Sequence, residues 1–263
     1  MEMRQVQDQM GRTVVVPKHP RRIVSIVPSQ TELLAYLGAP LVGRTRFCIH
    51  PDSIVEVQRV GGTKKLDFER IAALNPDLII GNKEENEQSD IEALEQLYPV
   101  WMSDIVQIPD ALAMIHQVGD LVQAQSKAKE LIKKLEISLE SIRSKASRFE
   151  GMKVLYFIWK NPWMLAGKGT FIHEVLEWSG FTNACADVRY PELGNPAPAA
   201  DLVFLSSEPF PFKSEHEAEI ETLIPNSKAL VVDGEVFSWY GNRLELLETY
   251  LDELAERIAL KKA

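Results

Sequence analysis

The side chains best suited to chemistry in this chain are rings and carboxylates set in short stretches punctuated by Gly and Pro. Five such stretches stand out: residues 44–51 (RTRFCIHP), 81–86 (GNKEEN), 160–167 (KNPWMLAG), 206–212 (SSEPFPF) and 237–241 (FSWYG). They hold Phe47, Trp163, Phe210, Phe212, Phe237, Trp239 and Tyr240, although aromatics make up only 8% of the chain. Rings in turns supply contact area at low entropy cost, which suits a large, flat, partly apolar ligand; the alternative is that they plug the ends of their domains. Glu84 and Glu85, beside Asn82 and Lys83 in GNKEEN, could orient polar ligand groups, coordinate a cation or stand as solvated charges. Glu208 adds a carboxylate to SSEPFPF. His50 and His173 could reach a metal, but neither sits in an HxH or HExxH spacing, so both also read as plain loop histidines.

Other chemistries lack their residues. Gly167-Lys168-Gly169-Thr170 resembles a piece of a phosphate loop without its full spacing and reads as a helix-start turn. No GxSxG elbow and no kinase signature occur, so nucleophilic catalysis and phosphoryl transfer have no visible machinery, and a non-enzymatic role is expected. Cys48 and Cys185 stand far apart with no CxxC partner and are read as free thiols. A net charge of -9 argues against nucleic acid as a partner. No apolar run reaches the roughly 18 residues of a membrane span. The polar N-terminus, MEMRQVQDQMGR, carries no secretory pattern, so the chain as it stands reads as cytoplasmic, or as periplasmic or extracellular if a leader has been removed.

The elements that must carry these segments alternate. A hairpin over residues 5–16 around Gly11 is followed by a β-branched run at 22–27, ended by Pro28, and a helix up to Gly38. Strands at 41–43, 77–80 and 100–102 then alternate with helices at 68–74 and 91–97, a pattern that implies a parallel sheet covered by helices. From Ile108 to Phe149 a helical period through Leu121, Ala128, Leu131, Leu135, Leu139 and Ile142 predicts one long strut. A second series follows: strands at 154–159, 202–205 and 229–232, and helices at 171–178, 217–223 and 243–258. The predicted fold class is therefore α/β, two Rossmann-like lobes bridged by one long α-helix, with lobes over residues 1–110 and 151–263 and the linking helix over 111–150. Open α/β sheets bind ligands outside the carboxyl ends of their strands, where four of the five segments lie, the fifth preceding the last helix.

Two stretches carry a resemblance. RRIVSIVPSQTELLAYLG (residues 21–38) and VGGTKKLDFERIAALNPDLII (residues 60–80) resemble the vitamin B12-binding class of ABC-importer substrate-binding proteins, in the helical-backbone metal receptor superfamily. The similarity runs from Arg22 to the C-terminal helix. It implies two lobes that one helix keeps nearly rigid, with cobalamin, haem or a ferric siderophore held between them. Carried over by position, the ring before His-Pro is Phe47, the next is Trp163 or Met164, and a third is Tyr190; two further aromatic positions fall on Thr63 and Asn82. The family's acidic contacts to permease arginines match Glu69, whereas the second region shortens to LGNP at residues 193–196. Ser179 stands where one cysteine of the family's disulfide would be.

The resulting expectation is a binder with no intrinsic cofactor, whose small-molecule partner is cobalamin, another corrinoid or another metal chelate, with an ABC permease as protein partner. Its ligand-binding residues are Phe47, His50, Asn82, Lys83, Glu84, Glu85, Trp163, Met164, Tyr190, Glu208, Phe237, Trp239 and Tyr240, and Glu69 docks the permease. The alternatives are an enzyme or chaperone acting on a corrinoid or tetrapyrrole, and a bare-metal binder using His50, Glu84, Glu208 and His173.

Overall fold

The structure, a computed structural model, describes residues 2–262. They form two compact units, the first of residues 2–105, 109–133 and 240–243, the second of residues 106–108, 134–239 and 244–262.

Unit one opens with an antiparallel hairpin, β1 (Met3–Gln7) and β2 (Thr13–Pro17). Asp8 closes its turn by accepting the backbone N–H groups of Met10 and Arg12 at 3.0 and 2.9 Å. The main sheet follows: β3 (Ile23–Ser25), β4 (Leu41–Arg44) and β5 (Gln58–Arg59), then a small hairpin of β6 (Gly61–Gly62) and β7 (Lys65–Leu66), then β8 (Leu78–Asn82) and β9 (Val100–Ser103). Its order is β5-β4-β3-β8-β9, all parallel. Helices α1 (Pro28–Leu37), α2 (Phe68–Leu74) and α3 (Gln88–Glu95) connect the strands. Pro28 starts α1, where its missing N–H costs nothing, and Gly38 ends it with a φ of 81°. Val24, Ile26, Val60, Ile71, Ile79 and Leu94 form the core.

The predicted single helix from Ile108 to Phe149 breaks. It becomes α4 (Ile108–Leu121) and α5 (Gln125–Ser144), with a short 3-10 turn at Ala146–Phe149. Gln123 adopts a φ of 61°, a left-handed conformation that ends an α-helix. Just before the break, Gly119 lies so close to Ala128 that a Cβ there would come within 2.3 Å of the alanine Cβ. The long element is thus the 20-residue α5, whose residues divide between the units after Lys133, rather than a separate linking segment of residues 111–150.

Unit two repeats the plan. It comprises β10 (Lys153–Trp159), β11 (Met164–Leu165), α6 (Phe171–Trp178), β12 (Thr182–Asn183), β13 (Leu202–Ser206), α7 (Glu215–Leu223), β14 (Lys228–Val232), α8 (Gly234–Ser238) and α9 (Leu247–Lys262). β10, β13 and β14 run parallel, with β12 parallel and β11 antiparallel to β10. Near-continuous apolar strands such as VLYF and LVFL are what a sheet covered on both faces requires. The turn at Lys168-Gly169 starts α6, and Thr170 caps it by accepting the His173 N–H at 3.1 Å.

Candidate functional site

Because the main strands of each unit are parallel, their carboxyl ends share one edge, and the segments that follow them collect there. In unit one, β4 feeds the Phe47 loop, β8 the GNKEEN turn and β9 Ser103.

The Phe47 loop wraps a buried cation. Arg44, 2% exposed, donates to the carbonyls of Ile54 (2.9 Å), Cys48 (2.8 Å), Thr45 (3.3 Å) and Val55 (3.0 Å). Backbone oxygens, not a carboxylate, thus solvate this guanidinium. Beside it, the Cys48 thiol lies 3.0 Å from Thr31 Oγ1 and 3.1 Å from Thr45 Oγ1, and burial pushes it up. The loop leaves Phe47 48% exposed, with the Arg46 guanidinium 4.7 Å above its ring, and His50 half-buried.

Two asparagines shape the GNKEEN turn. Asn82 Oδ1 accepts the N–H groups of Glu84 and Glu85 at 2.9 and 3.1 Å, an Asx-type turn. Asn86 Oδ1 accepts the Asn82 N–H at 2.9 Å while its amide donates to the carbonyls of Ile26 and Thr63. Glu84 and Glu85 are held half-buried at the edge. Asn82, read as a ligand residue, is instead buried and organises the turn, its amide 2.9 Å from Ser103 Oγ. Lys83 is exposed and paired with Asp104 at 2.6 Å. Gln30, fully buried, also donates to Ser103, and its Oε1 has no partner. Tyr240 belongs to unit one; burial, and after it the charge of Glu85, raise its phenol well above the usual value, while Ser29 and Ser103 pull it back.

In unit two the rings are mostly structural. Trp163 stacks on Phe212 at 5.7 Å, meets Phe157 edge-on at 5.5 Å and lies under the Lys160 ammonium, which pairs with Glu219. Phe210 joins the same cluster through Trp159 and His216. Met164 and Tyr190 are half-buried, with the Arg189 guanidinium 5.6 Å from the tyrosine ring. Phe237 requires correction as a ligand residue: it is 0% exposed among Tyr156, Phe204 and Tyr250, because the predicted FSWYG turn is in part α8 and directs this ring into the core.

Trp239 has a role the sequence does not disclose. It is 6% exposed, and its indole N–H donates to Glu208 Oε1 at 2.7 Å, an oxygen the Ser238 hydroxyl also reaches at 2.9 Å. Burial pushes the Glu208 carboxyl up, Ser238 and Trp239 pull it back, and Glu235 and Asp233 raise it further. A carboxylate held in this way can accept hydrogen bonds or face a cation. Glu208 follows β13 and Trp239 follows α8, so no local spacing in the sequence links the pair.

Glu69 is exposed on α2, but in a basic setting. It lines an open groove of about 670 Å³ with Arg46, Arg59, Lys65, Asp67 and Arg70. Among the described residues no group of three or more His, Cys, Asp or Glu side chains forms a metal centre, so the bare-ion reading has no built site. No helix among them is long and apolar enough to cross a membrane.

Comparison with known proteins adds three findings. A family described as "Periplasmic binding protein" matches residues 23–194. An uncharacterized ABC transporter substrate-binding lipoprotein of Bacillus subtilis is 28% identical over 193 residues, 69% of this chain and 61% of that one. A vitamin B12-binding protein of Salmonella choleraesuis is 25% identical over 171 residues, 65% of this chain and 64% of that protein. The matches thus span less than two thirds of these relatives' own length. Three solved structures share the fold over nearly their whole length. They are a periplasmic vitamin B12-binding protein of Vibrio cholerae (TM-score 0.77, 19% identity, 92% of this chain and 100% of that one), a periplasmic heme-binding protein of Roseiflexus (0.78, 18%, 92% and 99%) and a siderophore-binding protein with ferric acinetobactin (0.77, 17%, 97% and 99%).

Proposed function

We propose, from the premise that this chain belongs to the periplasmic binding protein family, that it binds a metal chelate, in the first place a corrinoid, and hands it unchanged to an ABC permease. The observation that carries this reading is the repeated design of the two edges. In each unit parallel strands end in loops that combine rings with carboxylates: Phe47, Glu84 and Glu85 in one, Tyr190 and Glu208 in the other. Such edges bind ligands without any catalytic group being needed. The names of the relatives, B12 binders at 25% identity, favour a corrinoid over the haem and ferric siderophore carried by proteins of the same fold. In this reading the half-buried His50 is the side chain that would ligate the chelate's metal.

The test is an equilibrium titration with cyanocobalamin, cobinamide, haemin and a ferric siderophore, followed by tryptophan fluorescence, with mass analysis of the recovered ligand. Saturable binding of a corrinoid, recovered intact, is the expected result. A chemically altered ligand would instead support an enzyme. Glu69 is proposed as a permease contact. One exposed ion pair contributes about 0.2 to 1 kcal/mol, so Glu69→Ala should weaken docking about 1.4-fold to fivefold in a pull-down with permease-containing vesicles.

A further inference from the structure

We propose that Glu208 is the carboxylate with which unit two reads a hydrogen-bond-donating or cationic group on the rim of the bound chelate, and that Trp239 is a positioning residue for it. The inference rests on the binding reading above and narrows its ligand class.

The geometry around Glu208 is built from below. Tyr156 donates to Ser206 Oγ at 3.1 Å, and Ser206 in turn donates to the Glu208 carbonyl at 2.6 Å, so the backbone is tied to the end of β13. Gly234 fixes the stem, because a Cβ there would stand 2.7 Å from Glu208 Cγ and 2.3 Å from Ser206 Oγ. Trp239 and Ser238 then engage Oε1 from the end of α8. Neither is charged, and Oε2 accepts no hydrogen bond from any described residue.

A mostly buried carboxylate with one oxygen saturated and the other open is satisfied only by a donor. The neighbouring charges sharpen this selection. Asp233 caps α8 by accepting the Glu235 N–H at 2.9 Å, and both it and Glu235 add negative potential at Glu208. A propionate or other anionic arm placed here would meet three carboxylates. An amide, amine or hydroxyl arm, or a cation, would pair with the oxygen that no described residue engages. Trp239, almost fully buried, acts through its N–H on Glu208 rather than as a stacking surface for the ligand.

The experiment uses two probes with the same corrin ring and metal: cobinamide, whose rim carries amides, and cobyrinic acid, whose rim carries carboxylic acids in their place. Cobinamide should bind at least about tenfold more tightly, a difference of about 1.4 kcal/mol. In Glu208→Gln, which preserves shape and removes the charge, that preference should fall towards equality. Trp239→Phe, which keeps the ring but removes the N–H donor, should reduce it part of the way. Equal affinity of the parent for the two probes, or an unchanged preference in Glu208→Gln, overturns this inference and leaves the binding reading in place. Tight binding of haemin with no binding of either corrin does the same. Silence from both corrins, haemin and the ferric siderophore overturns both readings.

Discussion

Glu208 holds a charge where burial opposes it, and the sign of its effect on stability follows. A carboxyl whose folded pKa lies above its unfolded one favours the folded state most when protonated, and that contribution is lost as pH rises through the raised value. Glu208→Gln should therefore unfold at a higher urea midpoint than the parent near neutrality, and the two midpoints should converge in mild acid. A Gln variant destabilised equally at both pH values would show that the carboxylate is not held against its burial. Arg44 presents the opposite case, a buried cation whose removal takes a donor from four carbonyls, of which those of Ile54 and Thr45 still accept the N–H groups of Val57 and Cys48. Each unsatisfied buried group costs about 1 to 3 kcal/mol, so Arg44→Ala should lose about 3 kcal/mol or more, with faster amide exchange across the Phe47 loop.

Between elements, close approach decides more than propensity does. The α4 to α5 turn depends on Gly119, whose position leaves no room for a methyl group against Ala128. Gly119→Ala would raise helix propensity in isolation, yet overpacking of this kind costs about 1 to 3 kcal/mol. Urea unfolding should show that net loss; a stabilised variant would mean that the contact relaxes freely. The GNKEEN turn has a similar dependence, since Asn86 joins β8, the end of β3 and the β6–β7 hairpin through one amide. Asn86→Ala should cost about 1 to 3 kcal/mol and increase exchange at the Glu84 and Glu85 amides, because their acceptor Asn82 loses its anchor.

For the molecule as a whole, binding and stability are linked. If a chelate binds only the folded chain, a concentration one hundred times its Kd adds about 2.7 kcal/mol to the unfolding free energy. Cobinamide at that excess should shift the urea midpoint accordingly, and no shift would contradict the affinity found by titration. The distribution of charge also matters. The chain carries -9 overall, whereas the groove beside Glu69 contains four cations, Arg46, Arg59, Lys65 and Arg70, against two carboxylates, Asp67 and Glu69. Permease docking at this face should consequently vary with ionic strength even in Glu69→Ala, because the surrounding cations remain.

The α/β class, the order of strands and helices, and the gathering of functional segments at strand ends were legible in the sequence, since they rest on local periodicity and on Gly and Pro punctuation. Helices at Phe68–Leu74 and Phe171–Trp178 match their predicted bounds for that reason. The residues 21–38 and 60–80 likewise disclosed the family before any coordinates. What local pattern could not supply was the fate of individual side chains. The rings at 163, 210, 212 and 237 look alike in sequence as loop aromatics, but packing partners far along the chain make them interior or wall residues. The continuous apolar period across residues 108–149 concealed a break that depends on contact between Gly119 and Ala128. Trp239 was legible as a notable ring, but its indole donates to a carboxylate 31 residues away. Periodicity records which face of an element is apolar; which atoms meet across elements is decided by tertiary packing, and the Glu208 site depends on those meetings.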